Sequence, residues 1–216
     1  MTATIRPLSP PHKGLRNLFS QFSLLSGVIQ PGHAEHWNRW RKVGEELFFL
    51  LNDHAKNEMD HVFGPLHQRA DSVCGDFQDE HQRLMQQART VEQQFITLSE
   101  TGSPGDFYGF YLDFSVFHAA NLAMMAHEDR VVEPMLMQLF TDEELQTQQV
   151  RIMQGMSVET LLLWFKYIVP ARQPAENLQV LRALSQTAPA ALLDRVLGVL
   201  RAELNERDFE ELASQL

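Results

Sequence analysis

Two residues able to bind a metal ion, His54 and Glu58, lie four positions apart near the first quarter of the chain. Side chains at this spacing project from the same face of an α-helix. Leu47 and Leu51 precede them on that face, at the spacings of an apolar core seam. An imidazole and a carboxylate are costly to bury unless they are paired or bind a metal. For this pair alone, a core histidine beside a half-exposed acid is the alternative interpretation.

Three other helical patterns also carry a histidine or an acid in the apolar seam. His12 falls within the row Leu8, Leu15, Phe19 and Phe22, His81 within the row Phe77, Leu84, Ala88, Val91 and Phe95, and Glu128 within the row Phe110, Phe114, Phe117, Asn121, Met124 and Val131. His127 lies beside the last row, about 60° from Met124 on a helical wheel. The sequence therefore predicts inward-facing ligand-type residues on four separate helices.

These apolar patterns predict four long helices, over about residues 9–27, 36–66, 76–99 and 107–139. Ser9 is the expected N-cap of the first helix. Pro65 is expected to close the second helix, and Pro134 to disturb the fourth. No strand-like alternation of any length competes with the helices. We therefore predict an all-α fold, an antiparallel four-helix bundle with short connections.

The last third of the chain has a different character. Thr141 and Glu144 form a capping box, Ser157 begins another helix, and further Leu-rich amphipathic patterns follow. No histidine occurs after His127. We predict a bundle over residues 1–140 and a C-terminal helical extension over 141–216 that packs on it, covering one end or forming a contact in a homo-oligomer.

Composition excludes some classes of function. The net charge of −10 over 216 residues argues against a nucleic-acid surface, which needs clustered Lys and Arg. The apolar runs are too short to span a membrane, and the first residues do not resemble a signal peptide. The single cysteine, Cys74, cannot form an internal disulfide. These features predict a cytoplasmic protein.

Inward imidazoles and carboxylates from facing helices are how helical bundles hold pairs of iron or manganese ions. Since buried carboxylates are rare without a partner, the pattern favours a metal centre. Ferritin-like iron storage is disfavoured because its repeated Glu-x-x-His motif is absent. A metal-free bundle acting as an interaction or sensor module, with Trp164 and Phe165 as a partner surface, is the alternative. No motif for nucleophilic catalysis is present, so no catalytic residue is assigned.

The order of these residues resembles the hemerythrin-like, or HHE cation-binding, domain. His54-Ala-Lys-Asn-Glu58 through Leu66 is similar to the family's HxxxE…(V/L)FP segment, and His127-Glu128-Asp129 through Pro134 is similar to its second, HEE…P, segment. The resemblance covers about residues 8–140. It implies a non-haem di-iron centre in a four-helix bundle. The ligand set that it implies here is His12, His54, Glu58, His81, His127 and Glu128.

One position departs from the family pattern. The second HxxxE would place a histidine where this chain has Met124, and a thioether is a poor ligand for iron. Either His127 swings in from the flank, or the second metal is weakly held, or the site is partly degenerate. His61, one turn beyond Glu58, could also supply a replacement.

The resemblance also implies a class of ligand. Family members bind oxygen, respond to nitric oxide or iron, or repair iron–sulfur centres. Five large aromatic residues are expected to line the pocket and to restrict access to small molecules: Phe19, Phe22, Phe110, Phe114 and Phe117. The expected partner is therefore a small diatomic ligand, dioxygen or nitric oxide.

Overall fold

The structure, a computed structural model, describes residues 6–70 and 75–216, with the backbone alone over 75–78. Within this part of the chain every regular element is helical. The α-helices are α1 (Ser9–Val28), α2 (Ala34–Glu58), α3 (Gly64–Arg69), α4 (Gly75–Thr97), α5 (Pro104–His127), α6 (Glu133–Leu139), α7 (Asp142–Gly155), α8 (Val158–Ile168), α9 (Pro174–Thr187), α10 (Ala190–Glu203) and α11 (Glu206–Ala213). The predicted all-α bundle is confirmed. Cys74 and the Phe77 side chain lie outside the described residues.

The four long helices contact one another in a closed ring. Helix α1 lies beside α2 and α5, and α4 lies beside the same two helices. Aromatic side chains fill the interior, with the Phe22 ring next to those of Trp40, Phe95 and Phe114. Along the contact between α1 and α5, Phe19 stacks on His118 and Gly27 approaches Tyr111, so the two helices run antiparallel. The expected lining residues Phe19, Phe22, Phe110, Phe114 and Phe117 all belong to this packed core.

Helices α2 and α5 each pass through a π-turn instead of ending. The turns are Met59–Phe63 and Glu128–Val132, and α3 and α6 follow them directly. In each case a proline, Pro65 or Pro134, stands second in the helix that follows. Proline clashes with the carbonyl four residues earlier in a regular helix, and the wider turn relieves this clash. The predicted helix end at Pro65 is therefore wrong, whereas the predicted disturbance near Pro134 is confirmed.

Each π-turn contains one extra residue, which rotates the following inward positions. Val132 is fully buried where a regular helix would bury Val131, and Val131 is exposed. Similarly, Val62 is buried and His61 is only partly so. The predicted seam positions of Val131 and His61 are therefore wrong. Glu58 precedes the first turn and Glu128 begins the second, so both keep their buried positions.

The start of α1 is held by a residue far away in sequence. Ser9 is the first helical residue and does not cap the helix, so that prediction is wrong. Instead, the buried carboxylate of Glu133 accepts hydrogen bonds from the backbone N–H groups of Leu8 at 3.2 Å and Ser9 at 3.1 Å. A side-chain acceptor at these positions satisfies donors that a helix leaves free. Glu133 thereby joins α6 to α1.

The C-terminal helices attach to the bundle through α8. Trp164 and Tyr167 belong to the same apolar core as the bundle residues, and the Trp164 indole N–H donates to Asp53 at 2.9 Å. Trp164 is buried and Phe165 is partly buried. The prediction that these two residues form a partner surface is therefore wrong. Helices α9 to α11 enclose a separate apolar cluster with Leu181 and Val196 at its centre. Among the described residues, no helix is long and apolar enough to cross a membrane.

Candidate metal centre

Five of the six predicted ligands meet at one end of the bundle. His12 comes from α1, His54 and Glu58 from the last turn of α2, His81 from α4, and Glu128 from the first position of the second π-turn. All five are buried: His12 is 0% exposed, Glu128 1% and Glu58 4%. One side chain from each long helix, with two from α2, therefore reaches the same interior space.

Glu58 lies at the centre of this group. Its Oε1 atom is 3.4 Å from Nε2 of His12 and 3.2 Å from Nε2 of His54. Its Oε2 atom is 3.4 Å from Nε2 of His81. Glu128 approaches the same His12 nitrogen, with Oε2 at 3.5 Å. The three histidines therefore direct the same ring atom toward one carboxylate.

Two polar atoms in the group have no hydrogen-bond partner. Nε2 of His54 is close to Glu58, but its direction does not suit a hydrogen bond, and Oε1 of Glu128 is also unpaired. Buried polar atoms are normally satisfied, so each such exception suggests a missing partner. His12, His54 and Glu58 can each offer one ligand atom with all three atoms within 4.8 Å of one another. Imidazole nitrogens and carboxylate oxygens in this arrangement suit iron, manganese or zinc.

Asp129 orients His12 from the side away from the centre. Its Oδ1 atom lies 2.7 Å from Nδ1 of His12, and its Oδ2 atom accepts a hydrogen bond from Arg16 at 2.7 Å. Burial works to raise the pKa of Asp129, but His12 and Arg16 hold it below its usual value, so the group is ionised. The Nδ1–H of His12 therefore donates to Asp129, and Nε2 faces Glu58 and Glu128. A carboxylate behind a metal-binding histidine fixes its ring in this way.

The metal-free group holds extra protons. Burial works to lower the pKa of His12, but Asp129, Glu58 and Glu128 raise it to about 9. Burial and the Glu58 charge raise the pKa of Glu128 to about 8. Burial also works to raise the pKa of Glu58, but the charge of His54 and a hydrogen bond from His12 hold it well below its usual value. A bound cation would take the place of protons here, because metal ligands bind in their deprotonated forms.

The sixth predicted ligand is not part of the buried group. His127, the last residue of α5, is exposed to solvent, whereas Met124, one turn before Glu128, is buried. The structure thus brings together His12, His54, Glu58, His81 and Glu128. Met124 occupies the position at which the second motif was expected to supply a histidine.

Sequence reasoning missed Asp129 and Arg16 as parts of the site. Asp129 was visible only as the neighbour of Glu128, and its direction depends on the π-turn that begins there. Arg16 lies one helical turn after His12, so an i, i+4 spacing from a predicted ligand was the available signal.

An open groove reaches the centre from the side of α2 and α4. It has a volume of about 850 Å³, and its lining includes His81, Ala55 and Met59 together with three cationic residues, Lys56, Arg83 and Arg89. His81 is therefore the predicted ligand closest to solvent on this side. Glu58 stays buried behind it.

A family model described as the hemerythrin HHE cation binding domain matches residues 4–136. This range contains all five clustered residues and both π-turns. Comparison with curated proteins and with solved structures gave no significant match. With the matched segment covering more than half of the chain, and with a buried His/Glu cluster inside it, the chain belongs to the hemerythrin HHE cation-binding domain family.

Proposed function

We propose that the protein binds non-haem iron through His12, His54, Glu58, His81 and Glu128, and that the centre binds or senses a small diatomic ligand, dioxygen or nitric oxide, or responds to iron itself. The observation that carries this proposal is the convergence of three histidine Nε2 atoms on Glu58, one of them without any hydrogen bond. Core packing alone gives no reason for that convergence, because each buried polar group carries a desolvation cost.

Bound iron would supply a redox-active Lewis acid at the end of the bundle. The residues of the chain would do the rest. Glu58 offers two oxygen atoms to the three histidines around it, and Asp129 keeps the His12 Nε2 atom directed inward. Burial of these groups excludes bulk water and large substrates, which is why a small ligand is proposed.

The number of iron ions is part of the proposal. Two ions need more ligands than one, and Met124 leaves the second position with a donor that suits iron poorly. We propose one firmly bound ion near Glu58 and a second site that is weak or empty. A fully degenerate, metal-free bundle acting as an interaction or sensor module is the second candidate, and Met124 is the observation in its favour.

Iron content of purified protein tests the proposal. Wild type, Glu58→Gln and Glu133→Gln would be purified without chelator and analysed for metals. Glu133 is a matched control, because this residue of α6 is also a buried acid. Its carboxylate bonds to the start of α1 and is not part of the cluster. We expect at least one iron per chain in wild type and in Glu133→Gln, and a large loss in Glu58→Gln. Equal, negligible iron in all three folded proteins would favour the metal-free candidate.

A further inference from the structure

Helix α5 is apolar on its outer face as well as on its inner face. Between Tyr108 and Ala126, Asp113 is the only acidic residue and no Lys or Arg occurs. Tyr108, Leu112 and Val116, each one turn apart, are 63%, 46% and 64% exposed. A helix that is apolar all round is normally buried on all sides. Among the residues that the structure describes, nothing covers these side chains on the outer face of α5.

The neighbouring helix extends this apolar face. Gly27 of α1 approaches the ring of Tyr111, so the two helices meet here, and Leu24 on the outer side of α1 is 72% exposed. We call this surface the α1–α5 face. It consists of Leu24, Tyr108, Leu112, Val116, Ala119, Leu122 and Ala123. Val28 lies one turn beyond Leu24 and is 64% exposed. Large apolar groups gathered in this number on one side mark an interaction surface.

We propose that the α1–α5 face binds a second copy of the chain, with the two α5 helices packed antiparallel about a two-fold axis near Val116. The proposal does not rest on the metal centre. It places self-association on a different surface from the C-terminal helices, where the sequence had suggested it.

The distribution of side-chain size along α5 matches a copy of itself. Tyr108 and Leu112 lie on the N-terminal half of the outer face, and Ala119 and Ala123 are exposed on the C-terminal half. A two-fold axis near Val116 would set the large residues of one helix against the small residues of the other. An isologous contact requires this kind of self-complementarity.

Charge and area favour the same occupant. Two chains of net charge −10 repel each other, and α5 adds little to that repulsion because Asp113 is its one charged residue between Tyr108 and Ala126. From the exposed fractions above, the face presents on the order of 600 Å² per copy, so a pair would cover about 1,200 Å², the lower end of specific interfaces. The exposed apolar residues of the C-terminal helices, such as Val150 and Met153, lie instead beside charged Arg151.

Sedimentation equilibrium on the full chain tests the proposal, with and without chelator. We expect wild type to have twice the mass of one chain, and Val116→Glu to have the mass of one chain with an unchanged helical circular dichroism spectrum. Ile96→Glu is the matched control: Ile96 is 53% exposed on α4, and this variant should stay a dimer. A monomeric wild type across the micromolar range would overturn the proposal, and so would a dimer that survives Val116→Glu.

Cross-linking tests the antiparallel arrangement. In a Cys74→Ser background, chains carrying Leu112→Cys would be mixed with chains carrying Ala119→Cys and oxidised. We expect disulfide-linked pairs mainly between the two kinds of chain, because the proposed axis brings positions 112 and 119 of opposite copies together. In a control mixture, chains carrying Ile96→Cys would replace those carrying Ala119→Cys. As many disulfide-linked pairs in the control mixture as in the first one would overturn this arrangement.

Discussion

Asp129 decides which ring atom of His12 faces the centre, although it is not among the proposed ligands. Its carboxylate accepts the Nδ1–H of His12 at 2.7 Å and is itself held by Arg16. Without this acceptor, the buried imidazole would lose both its orientation and the partner of its second nitrogen. Outer partners of this kind typically contribute 10- to 100-fold to metal affinity.

We therefore expect Asp129→Ala to weaken iron binding by roughly 10- to 100-fold, with Asp129→Asn between this variant and wild type because it keeps an acceptor oxygen. Competition with a chelator of known affinity would measure the change. Asp113→Ala is the control, since Asp113 is an exposed acid on the same long helix. Wild-type affinity in Asp129→Ala would show that His12 needs no such support.

Met124 stands where the family resemblance implied a histidine. It is buried one turn before Glu128, so a histidine there would lie on the side of α5 that carries the Glu128 carboxylate. We expect Met124→His to raise the iron bound per chain in a titration of metal-free protein. A variant that loses stability and binds no more iron than wild type would contradict the idea that this thioether weakens a second site.

The two π-turns are the features of the helices that position the carboxylates. Glu58 and Glu128 each lie where a regular helix gives way to a wider turn, and a proline follows six residues after each turn begins. The heptad seams were sufficient to predict the five clustered residues, because His54 and Glu58 precede the first turn, Glu128 begins the second, and His12 and His81 lie on the regular helices α1 and α4. The seams failed within the turns, at His61 and Val131, because apolar periodicity does not reveal an extra residue in one turn.

The aromatic end of the bundle depends on a close approach at Gly44 in α2. A Cβ atom at this position would lie 2.3 Å from the Phe95 ring and 2.8 Å from the Phe22 ring, and both rings are buried. No local pattern predicts this approach, since Gly44 lies inside the unbroken helix α2 and the two rings come from other helices.

We expect Gly44→Ala to lower the free energy of unfolding by roughly 1–3 kcal/mol, because the added methyl group overpacks the core. Gly198→Ala is the control: this glycine is also inside a helix but has no atom within 4 Å of an added Cβ. That change should be neutral or should stabilise by up to about 1 kcal/mol. Urea denaturation of the two variants measures both effects, and equal stabilities would contradict the packing described.

At the scale of the whole molecule, the C-terminal third is joined to the bundle by a partly buried polar contact as well as by apolar packing. The Tyr167 hydroxyl of α8 donates to Glu46 of α2, which Lys166 also contacts at 2.6 Å. We propose that residues 141–216 support the ligand-bearing bundle of residues 1–140 and supply no metal ligand. The sequence predicted this division from the absence of histidine after His127, but it could not identify the residues that join the two parts, because contacts so distant in the chain leave no local pattern.

This contact predicts a pH dependence of stability. Burial and Glu46 raise the pKa of Tyr167 above its ordinary value of 10.0. The unfolded chain therefore loses this proton at a lower pH than the folded protein does, and the stability contributed by the neutral hydroxyl is lost as the pH rises above 10. We expect urea midpoints to fall between pH 9 and pH 11 by more in wild type than in Tyr167→Phe. Equal falls would mean that Tyr167 titrates normally in the folded protein.

Above all, we propose that iron lies among the histidine Nε2 atoms that surround Glu58. Anomalous diffraction from crystals of iron-loaded protein, recorded on both sides of the iron absorption edge, locates the metal directly. We expect a peak within bonding distance of a Glu58 oxygen and of Nε2 of at least one of His12, His54 and His81. An iron peak elsewhere, or none at this position in protein shown to contain iron, would contradict the claim.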